Sequence, residues 1–125
     1  CQGEAESERI PLGITTLQAY IDGTLDVFEF FRELTGKTDL PVFMSKIGFA
    51  TYSDESDEYY HAGYTAVQNA QEQICKDNDD VHMAFRLAPD FVKLGYLSDG
   101  LHYNQTGYNM MGEALAHCAA VILNI

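Results

Sequence analysis

Leu40-Pro41-Val42-Phe43-Met44-Ser45-Lys46-Ile47-Gly48-Phe49-Ala50 is the stretch on which the fold turns. Val42, Phe43, Met44, Ile47 and Phe49 make a short, nearly continuous apolar run, with Pro41 where it begins. A run of this length without clean alternation is the pattern of a strand covered on both faces, as in a parallel sheet. Apolar surface must then approach it from both sides, and the flanking sequence offers helices to do so.

Upstream, apolar residues at 17, 20, 21, 25, 28, 31 and 34 share one helical face, with Asp22, Asp26, Glu29 and Arg32 between them. The spacing predicts a helix over Leu17 to Leu34. Thr15 or Thr16 can cap its start, Gly36 suits a left-handed turn at its end, and Gly23 weakens its middle. Downstream, Thr51 to Glu58 is a polar loop of the kind that lines sites. Tyr60, Gly63, Tyr64, Val67, Ala70, Gln71 and Ile74 then recur at helical spacing up to the acidic turn Lys76 to Asp80. Val81 to Leu87, bounded by that turn and by Ala88-Pro89-Asp90, reads as a second strand. Phe91 to Tyr103 holds two glycines and no period, so it reads as loop. Thr106 to Leu123 is helical, with Met111, Ala114, Leu115, Cys118, Val121 and Ile122 on one face.

The order helix, strand, helix, strand, loop, helix is an α/β alternation, which predicts parallel strands with helices on both faces. Two strands alone would leave a sheet edge bare and much apolar helix surface uncovered. Further strands are therefore expected from elsewhere. The opening residues Cys-Gln-Gly-Glu-Ala-Glu-Ser read as the interior of something longer, so an upstream portion is expected too.

Composition narrows the partners. With 46% hydrophobic residues and 125 residues in all, the chain is globular and long enough for one modest core. Nineteen acids against seven bases give a net charge of −12, which repels a phosphate backbone or an anionic membrane surface. Nucleic acid and membrane are thus poor partners, and no apolar run reaches the ~20 residues that span a bilayer. Cys1, Cys75 and Cys118 show no paired spacing, so neither a disulfide framework nor a zinc site is supported. The acidic stretches Ser53 to Glu58 and Asp77 to Asp80 lack the spaced ligands and central glycine of a calcium loop. A soluble chain with no metal or organic cofactor is expected.

The chemistry sits in Ser98-Asp99-Gly100-Leu101-His102-Tyr103-Asn104-Gln105-Thr106-Gly107-Tyr108, just before the last helix. An imidazole serves as general base toward a hydroxyl when a carboxylate on Nδ1–H orients it and stabilises its protonated form. Asp99, three residues before His102, can curl back onto the ring through the bend at Gly100, leaving Nε2 free. His61, His82 and His117 have no such partner nearby in sequence, and read as structural or surface residues. Tyr52, Tyr59, Tyr60, Tyr96 and Tyr103 flank the loops, where aromatic rings either pack or stack on a sugar.

The run Asp99-Gly100-Leu101-His102 through Gly107-Tyr108 resembles the last sequence block of SGNH hydrolases, and Gln2-Gly3-Glu4 resembles the glutamine-glycine-glutamate block of the sialate O-acetylesterase-like carbohydrate esterases among them. The resemblance brackets nearly the whole chain. It implies that residues 1–125 are the C-terminal portion of one flavodoxin-like, three-layer SGNH domain. It further implies His102 as general base and then acid, Asp99 as its orienter, and Gln2 as a donor to the oxyanion, with Gly3 and Glu4 beside it; Tyr103, next to His102, is the aromatic expected beside the substrate. The implied reaction is hydrolysis of an O-acetyl ester on a saccharide.

The nucleophile block of that family, a glycine-serine turn after the first strand, has no counterpart here. Ser7, Ser45, Ser53, Ser56 and Ser98 lack a strand-to-helix turn setting. The serine is therefore expected from a missing N-terminal part of the same domain or from a second chain, and this chain alone is expected to be inactive. Two other readings stand beside this one: an SGNH hydrolase of lipid or other simple esters, and a non-catalytic α/β binding or structural module. An extracellular, periplasmic or virion-associated setting is expected.

Overall fold

A computed structural model of the chain describes residues 3–53 and 57–125. The elements are α1 (Glu4–Arg9), α2 (Leu17–Thr35), β1 (Val42–Ser45), α3 (Glu58–Asp77), β2 (Val81–Phe85), α4 (Phe91–Leu94) and α5 (Gln105–Leu123), with 3₁₀ turns at Thr51–Ser53 and Ala88–Asp90. β1 and β2 pair in parallel, Val42 opposite Val81 and Met44 opposite Met83. The register then slips so that Ser45 faces Phe85, leaving Ala84 as an extra residue on β2. The fold is mixed α/β.

Local chemistry sets the helix limits. Thr16, not Thr15, caps α2, its hydroxyl accepting from Ala19 N–H at 3.1 Å, and Gly36 closes it with φ 65°. Asp57 caps α3 by accepting from the N–H groups of Tyr59 and Tyr60, and Asn104 caps α5 by accepting from Gly107 N–H at 3.1 Å.

One core lies between α3 and the sheet: Tyr64, Val67, Ala70 and Ile74 meet Val81, Ile47 and Tyr20, with Val42 and Met44 packed against them. A second joins Phe85, Ala88, Phe91 and Tyr103 to Met110, Met111 and Ala114 of α5. Ser45 Oγ reaches Met111 Sδ at 3.0 Å, and side chains alternate along a strand, so β1 shows Val42 and Met44 to α3 and Ser45 to α5. Helices thus cover both faces of the pair.

The structure departs from the sequence reading in four places. The strand expected over Leu40 to Ala50 ends at Ser45. Beyond it the backbone N–H groups of Ile47, Gly48 and Ala50 are taken by Gln71 Oε1 at 2.9 Å, the Tyr103 hydroxyl at 3.0 Å and Ser53 Oγ at 2.9 Å. Side chains satisfy this stretch, so it stays buried without a neighbouring strand. Ahead of Leu17, where the sequence reading places no helix or strand, Glu4–Arg9 form α1. Six residues are too few to be helical alone, and α1 is held by packing on α3, where a Cβ built on Gly63 would lie 1.9 Å from Ser7 O. The loop expected over Phe91 to Tyr103 contains α4 and an antiparallel bridge from Leu97 to Tyr103. Lastly, Phe31 and Leu34, placed on the buried face of α2, are 50% and 68% exposed: no described segment covers that end of the helix.

Two glycines on helices should respond oppositely to the same change. Gly63→Ala forces α1 off α3 and is expected to destabilise the fold by about 1–3 kcal/mol. Gly23→Ala adds a methyl where nothing lies within 4 Å, and is expected to stabilise it by ~0.5–1 kcal/mol by removing helix-interior glycine entropy. Urea denaturation of both variants checks the pair of signs.

Candidate active site

The segment between α4 and α5 is a tight excursion closed at both ends by backbone bonds. Ser98 N–H donates to His102 O at 2.8 Å and Asn104 N–H to Tyr96 O at 2.8 Å. Between them the chain bends at Asp99-Gly100. One oxygen of Asp99 accepts the N–H groups of Leu101 at 2.8 Å and His102 at 2.7 Å. Its other oxygen lies 2.7 Å from His102 Nδ1. Asp99 is therefore an Asx-type turn and an imidazole partner at once: the backbone bonds fix the carboxylate, and the carboxylate fixes the ring.

The loop is anchored to the end of β1. Thr51 N–H donates to Gly100 O at 2.9 Å, and the Tyr103 hydroxyl accepts Gly48 N–H at 3.0 Å. A Cβ on Gly48 would sit 2.6 Å from Ala88 O and 3.1 Å from that hydroxyl, so the glycine is required by close approach. The Asp99–His102 pair consequently lies beyond the C-terminal end of β1, where open α/β sheets place their sites.

The N-terminal candidates converge on the same place. A cleft of about 430 Å³ is lined by Gly3, Glu4, Glu6 and Glu8 from the start of the chain and by Leu101, His102, Tyr103 and Tyr108 from its end. Gly3 has φ 130°, a conformation that side chains rarely adopt, and a Cβ on it would meet Val67 Cγ1 at 2.7 Å. That backbone turn is what delivers Glu4 to the cleft. Gln2 lies outside the described residues, as do Asp54, Glu55 and Ser56 of the acidic loop.

Electrostatics separate the roles. The N–H of His102, its ring, and the N–H of Leu101 hold the Asp99 carboxyl well below the usual range, at about 2. Asp99 and His102 keep 57% and 67% of their side-chain surface exposed, so the pair is preassembled at a cleft that His102 lines. Tyr103 differs: it is buried, burial pushes its hydroxyl up to about 12, and its ring stands edge-on to Phe91. Its hydroxyl is committed to Gly48, so Tyr103 holds the loop and presents only part of its ring to the cleft.

The described serines are each engaged elsewhere. Ser7 Oγ donates to Gly3 O at 2.7 Å, Ser53 Oγ to Ala50 O at 3.1 Å and Ser98 Oγ to His102 O at 3.1 Å, while Ser45 is spent on Met111. None of them hydrogen-bonds the His102 ring. His61 stacks on Phe49 and His82 on Phe43, both as packing groups. Tyr52 bonds Glu8 at 2.5 Å and Tyr59 donates to Pro11 O, so these tyrosines tie α1 and its following turn to the segment around α3. Tyr96 is spent on Phe91, ring edge to ring face. Among the described residues no group of three His, Cys, Asp or Glu could hold a metal ion, and no helix is long and apolar enough to cross a membrane.

Sequence reasoning gives no site role to Gly48, Thr51, Glu6 and Glu8, and quotes Tyr108 only as part of the block before the last helix. Gly48 directly follows the apolar strand, a position where glycine often marks close backbone approach, and that was the available signal. Comparison with protein-family models, with curated proteins and with solved structures finds no match for the chain.

The depressed acidity of Asp99 has a sign that can be tested. A carboxyl lowered in the folded state adds stability above its unfolded value, ~3.9, and loses it as pH falls through the folded value. The urea midpoint of wild type should therefore exceed that of Asp99→Asn at pH 6 and converge on it between pH ~4 and 2. A gap that persists unchanged at pH 2 would show that the carboxylate does not carry it.

Proposed function

We propose that this chain is the Asp-His part of an SGNH-type carbohydrate esterase, acting on O-acetyl groups of a saccharide through a serine supplied by other sequence. The observation that carries the reading is the hydrogen-bonded Asp99–His102 pair opening onto a cleft shared with Gly3 and Glu4. Two segments a hundred residues apart in sequence, each resembling a block of that family, meet at one place. The finer fold assignment, a flavodoxin-like three-layer SGNH domain of which these residues form the C-terminal part, belongs to the same proposal.

In this mechanism a serine hydroxyl enters the cleft at His102 Nε2, which takes its proton as the oxygen attacks the acetyl carbonyl. Asp99 keeps Nδ1 protonated and stabilises the imidazolium that forms. His102 then returns the proton to the departing sugar oxygen, and a water, deprotonated by the same ring, releases acetate from the acyl-serine. Gln2 is assigned to the oxyanion, a contribution of ~3 kcal/mol for one well-placed donor. Glu4 borders the cleft, and Tyr103 braces the loop.

The open position of His102, with no described serine hydrogen-bonded to its ring, favours one second reading: a non-catalytic module that binds saccharide through the same cleft. Turnover separates the two. In a protein carrying a glycine-serine block ahead of this segment, His102→Ala should cut kcat for an acetylated sugar by ~10³-fold or more, and Asp99→Asn by a comparable factor, with the far-ultraviolet spectrum unchanged. Full activity in His102→Ala would remove the enzymatic reading, leaving sugar binding as the function to measure.

A further inference from the structure

β1 is as apolar in sequence as β2 but far less covered. All four of its residues are only half-buried, whereas Val81, Met83 and Phe85 of β2 are buried. The register shows which backbone groups it leaves unused. Val42 N–H donates to Asp80 O at 2.8 Å and Lys46 N–H to Phe85 O at 2.9 Å. In an extended chain these directions alternate, so the N–H and C=O of Phe43 and Ser45 point to the opposite edge.

That edge opens into a groove of about 580 Å³, walled by Val27 and Phe28 of α2 on one side and by Met111 and Leu115 of α5 on the other, with Phe43 and Met44 between. We propose that the groove receives an extended polypeptide segment, apolar on both faces and flanked by Lys or Arg, which adds to β1 as a further strand. A row of free backbone donors and acceptors is matched by a strand and not by a helix, whose own groups are already paired. Walls on both sides require apolar side chains in both directions along it.

Charge selects the flanks. Glu6 is the one charged residue lining the groove among those described, on a chain of net charge −12. Three of its cations, Arg32, Lys46 and Arg86, are already held by carboxylates. A second copy of the same chain would bring like charge to the same edge, while a basic-flanked strand brings the complement. Glu6 also lines the cleft at His102, so the bound segment would end beside the candidate site. The inference holds whether or not the occupant carries a nucleophile.

The probe is a synthetic peptide with capped ends, Lys-Lys-Val-Ile-Val-Thr-Val-Lys-Lys, titrated into the 125-residue chain and followed by backbone NMR and amide exchange. Binding should move the resonances of Val42 to Ser45 and slow exchange at Phe43 and Ser45 by tenfold or more, roughly as expected for newly paired strand amides. The same peptide N-methylated along one edge should bind about tenfold more weakly or not at all, since only backbone pairing is lost. A Glu-flanked version should bind about tenfold more weakly at low salt, with the gap closing as salt rises. Phe43→Pro removes an outward N–H and no bond to β2, and should abolish binding; if that variant does not fold, the N-methylated peptide carries the same test. Three results would overturn the proposal: no binding by any peptide, equal binding of the N-methylated form, or a dimer in which Phe43 and Ser45 are already protected without peptide.

Discussion

The structure depends on how five residues after β1 satisfy their backbone without a sheet. Lys46 still bonds to the end of β2, but Ile47, Gly48 and Ala50 give their N–H groups to Gln71, Tyr103 and Ser53. Each acceptor comes from a different part of the fold: the middle of α3, the loop before α5, and the turn that immediately follows. Ile47, Gly48 and Ala50 are buried, where an unpaired N–H costs about 1–3 kcal/mol. The three side chains therefore clamp α3 and the Asp99–His102 loop to the same stretch of backbone. Gln71 explains itself in these terms: a polar residue 2% exposed in the core face of a helix is there to accept.

The same constraint accounts for the rigidity expected of the Asp99–His102 pair despite its exposure. More than half of each side chain is exposed, and its ion pairing is screened by water. Its order comes from below. Tyr103, adjacent to His102 in sequence, is pinned through its hydroxyl to Gly48 and through its ring to Phe91, and a Cβ built on Gly107 would lie 2.9 Å from Phe91 Cε2 and 3.2 Å from Tyr103 Cβ, so the glycine lets the first turn of α5 pack against both. Arg32 plays a comparable part at the far end of the sheet, joining α2 to the turn before β2 by a 2.5 Å contact to Asp80 while Glu29 of the same helix holds its other nitrogen at 2.5 Å.

Much of the architecture was legible in the sequence because the period of the apolar residues reports helices of nineteen or twenty residues well. α2, α3, α5 and both strands lie where periodicity, caps and the acidic turn put them. The misses share a cause. α1 and α4 are too short for a period to develop, and each forms because something else holds it: Gly63 for α1, the Gly95 turn with φ 71° for α4. The strand was drawn too long because an apolar run looks alike whether its backbone pairs with a strand or with side chains. At the candidate site, Asp99 and His102 were readable as neighbours in one bend. Gly3 and Glu4 were placed there only through the family resemblance, and that Glu6 and Glu8 line the same cleft was not readable, because it depends on a long-range contact between the first and last quarters of the chain.

The division between what the chain completes and what it leaves open follows sequence separation. Asp99 and His102 are three residues apart and are fixed by bonds within the loop and to the adjoining strand end, so their geometry does not wait on any other segment. The open edge of β1 and the exposed apolar residues Val27, Phe30, Phe31 and Leu34 on α2 are a different matter. Each of those side chains is already partly covered, being 50% to 68% exposed, so covering the rest would gain about 1 kcal/mol apiece. Of the four, Val27 lines the groove beside the unpaired strand groups, so apolar burial and backbone pairing act together on a segment laid there. The acid-base pair can thus be built in one stretch of sequence while the groove selects, by backbone pairing and charge, what is laid against it.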